Sequence, residues 1–188
     1  MATMNANEVG VGSAAVTGAI WVAPKGTSLP TDATTSLSGT YKLLGFTSDA
    51  GVTVSESRST DDIKAWEGRT TVYNALTEYT ESVSFTPIQI NSDVAELTWG
   101  ASRVTATSTT IIAKHSADNL EPVCIVIETV PRVGIVKRYC GTFQLVERGD
   151  QVLDGTQVDG RALTFNAVAD SNGVTMYEYT AFVNGATS

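Results

Sequence analysis

A chain of 188 residues with 42% hydrophobic side chains has enough apolar material for one self-sufficient core, burying roughly two thirds of its unfolded surface without a disulfide framework. Its 20 acidic against 12 basic residues give a net charge of −8, and its longest basic cluster is Lys137–Arg138. That balance excludes a strong nucleic-acid grip, which draws its affinity from a basic face neutralising phosphates.

In chain order, residues 1–13 are small, polar and glycine-dotted, without the basic start and apolar run of a secretory signal. They read as a flexible arm preceding a single domain over 14–188, in a protein expected to stay in the compartment where it is made. Ala14–Ala23 is small and apolar throughout, which predicts a strand covered on both faces. Pro24–Gly39, rich in proline, serine and threonine, reads as a loop. A second loop is expected at about 48–69, strand-like at both ends and polar in the middle. Connections of this length usually carry function or become ordered by a partner.

Tyr73–Phe85 alternates, with Tyr73, Ala75, Tyr79, Val83 and Phe85 at odd positions and mostly polar residues, apart from Leu76, between them. That period of two predicts a strand with one buried and one wet face. Asn91–Gly100 breaks the β pattern. Asp93 as N-cap, Glu96 three residues on and Gly100 as a stop predict one short helix at about 92–99, with Val94, Leu97 and Thr98 on its packed face. Ile135–Val146 alternates again through Ile135, Tyr139, Phe143 and Leu145. A hairpin turning near Pro131–Arg132 would set Cys124 almost opposite Cys140, as two reduced structural thiols. Two further strand-like runs flank Asn172–Gly173, a dipeptide suited to tight hairpin turns. The fold class expected is mainly β, an antiparallel sandwich or barrel with one short flanking helix and long loops.

No constellation for chemistry emerges. His115 is the only histidine, and no nucleophile motif accompanies it; an exposed loop histidine is the expectation. The pairs Asp61–Asp62 and Glu147 with Asp150 have the composition of acid–base carboxylates, but read as solvated surface in so acidic a chain. Asp154–Gly155 and Asp159–Gly160 lack the spacing of a calcium loop and suit turns. The segment "GVGSAAVTG" lacks the lysine of a phosphate loop. No catalytic, cofactor or metal residue is assigned, no membrane span is expected since the longest apolar run is only Pro122–Ile127, and the reading is a structural protein rather than an enzyme.

Four segments in fixed order carry a family likeness: the A-P-x-G-T loop in Trp21–Thr35, an L-G-[FY]-x-S-x-x-G-V segment and an I-K-A-W core within Leu43–Gly68, and the N-x-x-x-x-E-L-x-x-G helix of Asn91–Gly100. Together they resemble the major tail protein, or tail tube protein, of long-tailed, siphovirus-type bacteriophages, most closely those of actinobacterial phages. The likeness covers roughly Trp21 to Gly100; the second half adds only compatible β alternation. It implies a β-sandwich or barrel that forms hexameric rings stacked into a tail tube. It also implies tape measure, tail-tip and tail-terminator partners, DNA passing through the lumen without specific binding, and a virion location after assembly in the host cytoplasm. The family uses an extended loop between two early strands to contact the neighbouring ring, and residues 48–69 match that position.

"TDDIKAWEGRTTVY" (Thr60–Tyr73) then becomes the segment of interest, because a tryptophan sits there among charges. Tryptophan is enriched at the energetic centres of protein interfaces. Trp66 with Ile63 is expected to anchor on an adjacent subunit, with Asp61, Asp62, Lys64, Glu67 and Arg69 as a polar rim; the alternative tucks Trp66 into its own domain. The competing function is another β-sandwich virion or surface binding module, of capsid-decoration or adhesin type. The positions of Trp21, Trp66 and Trp99, in a strand, a loop and a helix end, argue against a glycan platform.

Overall fold

The computed structural model describes residues 10–14, 18–132, 134–156 and 158–183. It comprises β1 (Ile20–Pro24), β2 (Lys42–Leu43), β3 (Thr47–Lys64), β4 (Thr71–Pro87), α1 (Ser92–Trp99), β5 (Val104–Ala106), β6 (Ile111–Ala113), β7 (Val123–Arg132), β8 (Ile135–Arg148), β9 (Leu163–Val168) and β10 (Met176–Phe182). Strands β1–β4 and β7–β10 form one antiparallel sheet in the order β2-β1-β7-β8-β9-β4-β3, with β10 also on β8; β5 and β6 pair separately. The main order ends at β2 and β3 and does not close, so the architecture is sandwich-like and not a barrel. β1 and β4 have three strands between them, yet both feed one core, so the sheet bends over itself.

That core takes Ile20 and Val22 from β1, Val83 and Phe85 from β4, Ile125 and Ile127 from β7, Phe143 from β8, Leu163 and Phe165 from β9, and Leu97 from α1. The phenyl rings of Phe85 and Phe165 stack with centroids 5.5 Å apart. The other face of β1, β7 and β8 is also covered. Ala23, Cys124, Val126 and Cys140 lie under the loop between β1 and β2, with Leu29, Leu37 and Tyr41 packed on them. β1 therefore has the two covered faces its composition predicts.

Asp32 organises that covering loop. Its carboxylate accepts from the Thr34 and Thr35 amides at 2.7 and 2.6 Å and from the Thr35 hydroxyl. Those bonds, the hydroxyl's first, hold its pKa down at about 2. Arg138, 3% exposed, fastens the loop to the sheet. Its Nε and Nη2 donate to Glu128 Oε1 at 3.0 and 2.6 Å, and its Nη1 donates to the Asp32 carbonyl at 2.7 Å.

Several expectations are corrected. Cys124 faces Thr142 and Cys140 faces Val126, so the thiols sit one diagonal step apart and not opposite. The shift arises because Pro131 and Arg132 are still strand: the chain turns only after Arg132, which faces Ile135, and the register break between Thr129 and Arg132 recovers one residue of the offset. Both are free and buried, and burial pushes the Cys140 thiol up to about 11. The helix is capped by Asn91, whose side chain accepts from the Val94 amide at 2.7 Å and donates to the Leu44 carbonyl at 2.9 Å. Asp93 instead pairs with Lys42 at 2.6 Å. Gly100 does end the helix, and Leu97 and Thr98 are buried.

Asn172–Gly173 does not turn a hairpin. β9 and β10 run in the same direction, end to end along β8: Leu163–Val168 lies against Arg148–Thr142, and Met176–Phe182 against Gly141–Ile135. The intervening loop closes locally on Asp170, which accepts from the Asn172 and Val174 amides at 2.8 and 2.9 Å, while Gly173 takes φ 78°. β8, at 14 residues, is long enough to hold the 6 residues of β9 and the 7 of β10 in tandem. Of the arm expected over 1–13, residues 1–9 lie outside the described residues. Val11 and Ser13 bond to the Pro131 and Val130 backbone of β7.

Candidate assembly surface

The segment expected as a loop at 48–69 is mostly strand. β3 pairs with β4 from Val52↔Phe85 out to Lys64↔Thr71, leaving only residues 65–70 as a turn. β4 pairs on its other side with β9 only over Ser82–Phe85, so beyond that point β3 and β4 continue as a two-stranded ribbon. The reading as a loop follows from its burial: nearly every β3 residue is exposed, and strand patterning is legible only where one face is buried.

The alternation expected along β4 breaks at one residue. Ser59 faces Glu78, but Thr60 faces Leu76, so Thr77 is a bulge, its hydroxyl donating to the Ser59 carbonyl at 3.1 Å. The bulge flips the parity of β4. Tyr79, Val83 and Phe85 share a face with Leu76, whereas Tyr73 and Ala75 fall on the opposite one. Only Val83 and Phe85 are buried; Tyr73 and Tyr79 are 63% and 40% exposed. The stray Leu76 in the alternation was the sequence trace of this bulge.

All seven predicted contact residues gather at the ribbon's end. Asp61, Asp62, Ile63 and Lys64 close β3, and Trp66, Glu67 and Arg69 lie in the turn, held by Ala65 N–H donating to the Thr70 carbonyl at 2.8 Å. Gly68 and Arg69 take positive φ of 65° and 54°. Asp61 faces Ala75 and Asp62 faces Asn74, so their side chains leave opposite sides of the ribbon and make no carboxylate dyad. Trp66 is 95% exposed and does not tuck into its own domain. Ile63 pairs with Tyr73, both more than half exposed, and Val72 and Leu76 add further apolar area that the sequence reading did not assign to the site.

A different surface occupies the opposite end of the strands. There α1, β1 and residues 118–123 enclose a cleft of about 600 Å³ lined by Val22, Leu97, Trp99, Leu120, Leu145 and Phe165 among others. Ion pairs Lys25–Glu121, Lys42–Asp93 and Arg103–Asp118 stand on its rim. Beside it His115, exposed as expected, stacks on Trp99 with centroids 3.6 Å apart and planes 10° off parallel. The Arg148 and Arg161 guanidinium groups lie 4.7 and 5.5 Å from the Trp99 ring centre. Arg148 Nε also donates to the Thr98 carbonyl at 2.8 Å.

Among the described residues, no group of three or more His, Cys, Asp or Glu is placed to hold a metal, and no helix is long and apolar enough to cross a membrane. Asp154 accepts from the Thr156 amide at 2.9 Å with Gly155 at φ 73°, which is turn chemistry.

A search of curated proteins finds no match. Among solved structures, the tail of an empty GTA particle, described with C6 symmetry, aligns over 96% of this chain and 99% of its own at 11% identity and a TM-score of 0.44. The family model for phage tail tube proteins matches residues 2–177, nearly the whole length. The chain belongs to the phage tail tube protein family, a structural family of the virion tail.

Proposed function

We propose that the protein assembles into six-membered rings that stack into the tail tube and form the conduit for DNA ejection. The observation that carries this reading is the β3–β4 ribbon, which ends in a 95% exposed tryptophan with no support from its own domain. A two-stranded ribbon wet on both faces is marginal alone and gains stability by packing on another surface. Trp66 and Ile63 are its anchors on an adjacent subunit, and Asp61, Asp62, Lys64, Glu67 and Arg69 set the register around them. The outer edge of β10 and the distal edge of β4, unpaired by strands among the described residues, supply lateral pairing surfaces of the kind assemblies cover. The net charge of −8 suits a lumen that repels phosphates and lets DNA slide. Tape measure, tail-tip and terminator proteins are its partners, and assembly takes place in the host cytoplasm.

Negative-stain electron microscopy of concentrated protein, with a sedimentation profile, tests the reading. Rings or tubes with sixfold end views are expected. Trp66→Ala should leave monomer stability within about 0.5 kcal/mol of the parent while tube yield collapses; unchanged yield and thermal stability of assembled tubes would sink the anchor role.

A further inference from the structure

We infer that the cleft between α1 and residues 118–123, with the Trp99–Arg148–Arg161 cluster beside it, is the receptor for the Trp66 tip of the next copy. This rests on the stacked-ring reading and identifies the surface that the tip enters.

Placement brings the tip and the cleft into reach of each other. Following the registers, Phe85, Leu163 and Arg148 align at one end of the sheet. The tip at 65–70 lies beyond Lys64↔Thr71, about 40 Å of strand away at roughly 3.3 Å per residue. Shifting one copy along its strands therefore brings its tip to the cleft end of the next. A contact between two different patches that is repeated by translation does not close, so it builds stacks and not pairs.

The two surfaces also match in chemistry. The cleft's volume is that of sites which enclose a compact organic ligand, and its walls are aliphatic and aromatic, so an indole fits. Around Trp66 stand Asp61, Asp62 and Glu67; beside the cleft stand Arg148 and Arg161, neither in an ion pair among the described residues. Arg148 spends its Nε on Thr98, and Arg161 one Nη on Gln151, leaving further N–H groups to meet carboxylates. The tip's own cations, Lys64 and Arg69, meet Glu96, which lines the cleft outside those ion pairs. Both signs are thus complementary, in a chain whose overall charge opposes self-association.

The test is a cross-link in assembled material. Glu67→Cys combined with Asn119→Cys, treated with a short bismaleimide, should convert sedimented tubes into a ladder of covalent multimers. Glu67→Cys with Thr180→Cys on β10 should give monomer only. The native Cys124 and Cys140 are buried and stay silent. Tubes that link through Thr180→Cys and not Asn119→Cys overturn the receptor while leaving the tube intact. Parent protein that never forms rings or tubes under the microscope removes the stacked-ring reading and this inference with it. Independently, Arg148→Glu/Arg161→Glu should cut the sedimenting fraction at least tenfold, and adding Asp61→Lys/Asp62→Lys should restore it. Folded variants whose assembly is unaffected, or is not rescued by the second pair, overturn the charge match.

Discussion

The body and the ribbon are built from the same backbone pairing but differ in what covers them. β8 is covered on both faces, by the main core on one and the Asp32 loop on the other, so its strands are held by packing as well as hydrogen bonds. β3 and β4 leave that shelter beyond Ser82 and keep pairing with both faces in water. Local contacts stiffen the ribbon: the Arg58 guanidinium lies 5.6 Å from the Tyr79 ring centre, and the Thr175 hydroxyl bonds Glu81 at its base. Folding energy resides in the body; the ribbon's apolar side chains are unspent. Exposure is informative only by position. A lone wet valine needs no explanation, but Ile63, Trp66, Val72 and Tyr73 together at one tip do.

The sharpest way to break this contrast is a pair of truncations. Phe143→Ala, at a fully buried ring, should destabilise the monomer by about 4 kcal/mol in urea denaturation, against no measurable loss for Trp66→Ala. Equal effects would show the ribbon to be part of the folding core. Next comes Arg138→Ala. Leaving Glu128 and the Asp32 carbonyl without their donor should cost about 3 kcal/mol by the same measurement and loosen residues 24–41 in hydrogen exchange. A smaller effect is expected at the helix start. Asn91→Ala should lower stability by about 1 kcal/mol in thermal unfolding, whereas Asp93→Ala, breaking a surface ion pair, should cost no more than about 0.5 kcal/mol. The reverse order would return the cap to Asp93. Finally, the Asp32 carboxyl is held well below its ordinary 3.8, so its contribution is complete above about pH 4 and is lost as pH falls through about 2. The urea midpoint should therefore drop more steeply between pH 4 and 2 in the parent than in Asp32→Asn, and parallel profiles would rule that out.

Sequence and fold agree where burial imposes a period. β1's two covered faces, the odd-numbered face of β8 and the packed face of α1 were all legible, because water forbids other placements of Ile20, Phe143 and Leu97. The ribbon tip proposed above as a contact was singled out by the anomaly of an indole among charges, and the fold leaves that indole exposed. The even face of β8 was not: Arg138 and Cys140 look like surface and spacer until the Asp32 loop folds over them. Nor was the direction of β10, because Asn172–Gly173 specifies a tight local turn but not where the chain goes afterwards.

What the sequence determined by itself was a β-rich chain with one short helix after Asn91, a sizeable core, an acidic balance and a tryptophan set among charged residues. These follow from side-chain chemistry and local periodicity alone. Tertiary structure decided the rest: that residues 47–64 are strand and not loop, that Thr77 bulges and turns Tyr73 to the other face, and that Trp99, His115, Arg148 and Arg161 converge at the end remote from the tip. Each depends on how strands pair and pack in three dimensions, which hydrogen bonds and buried rings fix and which composition and alternation at most hint at, as Leu76 did for the bulge.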